Sequence, residues 1–145
     1  MTAIAIVKAA IWGGVFMGIA SEIGYRLDIA RSNLFLIDGE FTLKKAAITG
    51  GKAMTIGVGI LVHLMTSAAF GVLYLILTRL FSLYAASPKI IFFYMFFLWL
   101  AMLFIALPIA GQGLLGSKIG KSVWLEQLIL HAVFGFGFWW ALTAP

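Results

Sequence analysis

No cysteine occurs in this sequence, which excludes disulfides, thiolate nucleophiles and thiolate metal sites together. Charge is nearly as scarce. Only 10% of the 145 residues are Asp, Glu, Lys or Arg, against 63% hydrophobic, and the mean hydropathy is +1.11. A soluble domain of this size cannot hide so much apolar surface, so the composition reads as an integral membrane protein. There is no run of basic residues with interleaved aromatics in a polar setting, and the net charge of +5 sits in loops. It reads as a topology signal and as contact with anionic lipid, with no nucleic-acid partner. The glycines form neither a GxGxxG nor a P-loop pattern, and GQGLLG at 111–116 reads as a flexible loop rather than a phosphate cradle.

What the chain does have is long apolar runs. Crossing a bilayer takes about 20 such residues, and four segments qualify, at about 4–24, 54–80, 90–107 and 123–142. The first, MTAIAIVKAAIWGGVFMGIASE, faintly resembles a signal peptide and is read as a retained span. The third can continue past Pro108. Backbone groups in lipid must be paired within their own segment, so the spans are helices. The expected fold is all-α: a single domain over 1–145, a polytopic four-helix transmembrane bundle. The first loop adds a short interfacial helix, expected at about residues 40–49, after a turn at Asp38-Gly39. Phe41, Leu43 and Ile48 would seek cover there, while Glu40, Lys44 and Lys45 would seek water.

Lys and Arg set the expected orientation. Arg26, Arg31, Lys44, Lys45, Lys52, Lys118 and Lys121 share one side, and Lys8, Arg79 and Lys89 the other. This bias puts loops one and three in the cytoplasm and both termini outside. Small residues mark the contact faces: Gly14 and Gly18 on span one, Gly59, Ser67 and Gly71 on span two, Gly135 and Gly137 on span four. Span three, IIFFYMFFLWLAMLFIAL, is bulky nearly all round and is expected to meet lipid or a partner. Trp139, Trp140 and Tyr84 read as aromatic belts.

The chemistry-bearing residues inside this apolar setting are two histidines, His63 in ILVHLMTSAAFGVLY and His131 in LILHAVFGFGFWW. Each lies about nine residues into its run, so at ~1.5 Å per residue the two share a depth near mid-membrane. His63, Ser67, Phe70 and Tyr74 repeat at the same helical offsets as His131, Gly135, Phe138 and Leu142. A polar layer of Glu22, Arg26, Glu126 and Gln127 is expected beneath them, with Ser67 beside His63. Three readings stay open. The histidines are polar glue between helices, worth ~0.6–2 kcal/mol each; or they ligate haem b or hold a quinone; or they relay protons. Both aspartates, Asp28 and Asp38, fall in the first loop, so no Ser-His-Asp set is expected at one depth. Two histidines without an acid in their layer also leave a hydrolytic metal underligated. No catalytic and no metal-ligating residues are assigned.

The order H-x3-S-x2-F-x3-Y (His63, Ser67, Phe70, Tyr74), then Pro88-Lys89-Ile90, then Leu107-Pro108 followed by Gly111, then His131 with Phe136, Phe138, Trp139 and Trp140, resembles the YagU-like family. These are small four-helix proteins of the bacterial inner membrane. The resemblance covers roughly residues 55–142, and it implies four spans and the two-histidine layout but no reaction and no ligand. The sequence thus reads as a non-enzymatic accessory or stabilising subunit of a larger membrane assembly in the bacterial inner membrane, joined to its partner or to a second copy through span three. The alternatives are a haem b electron-transfer subunit using His63 and His131, and a small transporter or channel subunit.

Overall fold

In the computed structural model, which describes residues 1–144, the chain is all-helical. Helix α1 covers Ala3–Arg26, α2 Leu34–Lys45, α3 Lys52–Leu80, α4 Pro88–Ile109 and α5 Val123–Thr143. The helices α1, α3, α4 and α5 are each long and apolar enough to cross a membrane, and the short α2 sits between the first two spans. The chain is a membrane protein with four candidate transmembrane helices.

Local chemistry sets the boundaries. Thr2 caps α1, its Oγ1 accepting from the Ala5 N–H at 3.2 Å, and the Asn33 side chain caps α2 by accepting from the Leu36 N–H at 3.2 Å. Pro88 occupies the first position of α4, where a helix needs no amide donor. Near the other end of α4, Pro108 cannot donate to the carbonyl four residues earlier. The ladder slips, Leu107 N–H bonds the Met102 carbonyl, and Met102–Ala106 winds as a π-turn.

Helix α1 is the centre of the bundle, lying antiparallel between α3 and α5, while α4 packs on α5. Its buried face is made of small residues, Ala9, Ala10, Gly13, Gly14 and Gly18 among them. A Cβ at Gly13 would sit 2.8 Å from the Phe134 carbonyl of α5, and one at Gly14 would overlap Ser67 of α3. Close backbone approach of this kind, rather than hydrophobicity, is what holds helices together in lipid. Helix α3 turns one stripe inward, Thr55, Gly59, His63, Ser67, Gly71, Tyr74 and Thr78, at spacings of four and three residues. On α4, Ile91, Tyr94, Met95 and Leu98 are buried, whereas Phe92, Phe93, Phe96, Phe97 and Phe104 are exposed.

The first loop departs from expectation. The helix there runs over Leu34–Lys45 rather than 40–49, and Asp38-Gly39 lies inside it instead of forming a turn. Gly39 does not break α2 because it is a contact point, where an added Cβ would collide with the Thr55 carbonyl of α3. Gly59 of α3 takes the same role toward the Phe35 carbonyl. The N-terminal turn of α2 therefore enters the bundle: Leu34 is buried, its N–H donates to Ser21 Oγ at 3.1 Å, and the Phe35 ring stands edge-on to His63 with centroids 5.8 Å apart. The apolar residues of this stretch gain their cover from protein, while Ile48, beyond the helix, is exposed.

Candidate functional site

Because α3 packs on α1 and α2 while α4 packs on α5, α3 and α4 do not close against each other along their whole length. Toward the end that holds the chain start they are bridged. The Tyr94 hydroxyl donates to the Phe70 carbonyl at 2.9 Å, and the Tyr74 and Tyr94 rings lie 5.1 Å apart. Toward the α2 end a cavity of about 450 Å³ remains. Met17 of α1 and Leu34, Ile37, Asp38 and Phe41 of α2 line it, with Val62, His63, Thr66, Ser67 and Phe70 of α3. Across from them stand Met95, Leu98 and the π-turn region of α4, and His131 and Phe134 of α5. This size falls in the usual range for small-molecule sites.

Both histidines line this one cavity. Each is buried, His63 at 8% exposure and His131 at 7%. His63 Nε2 lies 3.1 Å from the Gly14 carbonyl oxygen. A carbonyl only accepts, so Nε2 carries a hydrogen and donates it. The other ring nitrogen, Nδ1, lies 3.6 Å from Asp38 Oδ2. At that distance the carboxylate stands beside the ring without a hydrogen bond to it. His131 is held differently. Its Nδ1–H donates to the Gln127 carbonyl one turn back, at 2.7 Å. That tautomer leaves Nε2 with a lone pair and no hydrogen-bond partner among the described residues.

Asp38 was missed in the sequence, where it was assigned to a turn in a loop. The structure puts an acid beside His63 after all. The signal was present: Leu34, Ile37, Asp38 and Phe41 fall at i, i+3, i+4 and i+7, one helical stripe, and all four line the cavity. An acid in an apolar stripe marks a functional face as clearly as a histidine in a span. Ser67 is no nucleophile in this geometry, since its hydroxyl donates to the His63 carbonyl at 2.8 Å.

The expected polar layer resolves into separate groups. Glu22 pairs with Arg26 at 2.5 Å and accepts from Asn33 Nδ2 at 2.7 Å. Glu126 accepts from the Arg31 and Ser32 amides at 3.0 and 3.1 Å, from Ser32 Oγ at 2.9 Å and from Ser122 Oγ at 2.8 Å. These two carboxylates tie residues 31–33 to the ends of α1 and α5, a fastening rather than a reactive layer. Ser67 belongs with His63 and Gly14. Gln127 is fully buried, and neither end of its side-chain amide has a partner among the described residues.

A haem held by both histidines needs a free nitrogen from each. His131 offers Nε2, whereas His63 would have to release the Gly14 carbonyl or turn from Asp38. No protein-family model, curated protein or solved structure matches the chain.

Proposed function

We propose that the chain is a multi-pass protein of the bacterial inner membrane that holds a small, largely apolar molecule, taken from the bilayer, between α3 and α4. It performs no chemistry of its own and serves as a subunit of a larger membrane assembly. The observation that carries this reading is the cavity of about 450 Å³ inside the bundle, apolar over most of its wall and polar at Asp38, His63 and His131. Ionisable side chains are retained within apolar spans at a cost, and they mark sites of function. The seven-to-three bias of basic residues supports placing α2 and the α4–α5 loop in the cytoplasm, with both termini outside. The exposed phenylalanines of α4 support contact with lipid, a partner subunit or a second copy. The resemblance to the YagU-like family belongs to the same reading and adds no ligand to it.

The test is binding of a neutral, environment-sensitive probe, naphthalenemethanol, to the purified protein in lipid nanodiscs. Saturable binding that is lost in Ala101→Phe, which puts a ring into the cavity wall, is the expected result. Partition into the nanodisc alone, identical in both proteins, overturns the reading. An absorption spectrum of the same sample, oxidised and reduced, decides the haem b alternative.

A further inference from the structure

We infer that the occupant of this cavity is a hydrophobic amine, whose ammonium group is held by the Asp38 carboxylate beside His63. The inference rests on the proposal that the cavity binds molecules from the bilayer, and it names their class.

The wall is richer in acceptors than in donors: the Ser67 hydroxyl is spent on the His63 carbonyl, which leaves the Thr66 hydroxyl against a carboxylate and two imidazoles. His63 spends its Nε2–H on Gly14, which leaves its Nδ1 as an acceptor 3.6 Å from Asp38 Oδ2. His131 Nε2 is a further lone pair without a donor. A carboxylate at the wall of an apolar cavity favours a cationic occupant, because an unpaired charge there is costly. An ammonium group brings both the charge and up to three N–H donors.

Among the described residues, no lysine or arginine lines the cavity. Of the elements around it, α1 contributes Met17, α4 contributes apolar residues, α3 contributes His63 and α5 contributes His131. Among the other charged groups nearby, Glu22 is held by Arg26 and Asn33, and Glu126 by Ser32 and Ser122. Lys52 stands at the start of α3, and Glu40, Lys44 and Lys45 lie on the exposed side of α2. None of these lines the cavity.

The apolar wall suits the same ligand. Phe41, Phe70 and Phe134 line the cavity, and aromatic rings attract a cation. Met17, Met95 and Met102 supply flexible, polarisable surface that adapts to different apolar bodies. The charge balance closes, since the Asp38 carboxylate and the ammonium group of the ligand sum to zero.

Calorimetric titration of the native protein in nanodiscs with naphthalenemethylamine needs no variant. Naphthalenemethanol is the neutral control. The expected result is tighter binding of the amine than of the alcohol, by about tenfold or more. Asp38→Asn should bring the amine down to the affinity of the alcohol. If both probes bind equally, the amine inference is overturned and the proposed cavity function stands. If neither binds saturably, both are overturned.

Discussion

His63 on α3 donates across the helix interface to the Gly14 carbonyl of α1, at 3.1 Å. The contact exists because residue 14 has no side chain. A Cβ there would overlap Ser67 Oγ and lie 3.8 Å from His63 Nε2. Gly14→Ala should therefore push α1 away from α3 and lower stability by about 1–3 kcal/mol, the usual cost of overpacking. Thermal unfolding in detergent measures it. The double variant Gly14→Ala/Ser67→Gly should recover much of the loss, and no recovery would mean that the close approach is not what limits this interface.

Glu126 gathers four donors from two parts of the chain, the Arg31 amide, the Ser32 amide and hydroxyl, and the Ser122 hydroxyl. Hydrogen bonds to a charged acceptor are the stronger ones, about 1.5–3 kcal/mol each. Glu126→Leu should raise hydrogen exchange at the amides of residues 31–34 while leaving the middle of α5 protected. Unchanged exchange in that segment would show that the loop is held by something else.

Gln127 is the reverse case, a fully buried amide with no partner at either end among the described residues. Leaving such a group unpaired costs about 1–3 kcal/mol. Gln127→Met, close in shape and without polar atoms, should raise the melting temperature. A fall would reveal a partner for the amide and make Gln127 part of the site beside His131.

Orientation is testable because the native chain has no cysteine. Ser87→Cys and Ser117→Cys place single thiols in the α3–α4 and α4–α5 connections. An impermeant maleimide added to intact cells should label the first and spare the second. The opposite pattern would invert the topology inferred from the basic residues.

Where the sequence was legible, it was through composition and period. The four spans show as uninterrupted apolar runs, and Gly14, Gly59, Ser67 and Gly71 mark packing faces because small residues have few other uses in lipid. Asp38 was not legible in the same way. Asp-Gly is the strongest short turn signal, and that local rule outweighed the i, i+3, i+4, i+7 stripe from Leu34 to Phe41. What reversed the outcome is tertiary: Gly39 lies against the Thr55 carbonyl, a partner that no window around residue 39 contains. The tautomers of the histidines were equally hidden, since they depend on the Gly14 and Gln127 carbonyls. The π-turn was half visible, in Pro108, but the direction of the slipped ladder was not.

The central position of α1 has a consequence for biosynthesis. Ribosomes deliver α1 before the other four described helices, yet one of its two packing faces is filled by α5, which emerges after α4. Until then Gly13 and Gly137 have not met, Glu126 is absent from the Arg31 and Ser32 amides, and α4 has inserted without the neighbour it packs on. Insertion and assembly are thus separate events for this chain, as they are for helical membrane proteins at large. The nascent bundle waits in the bilayer with an unfilled groove along α1.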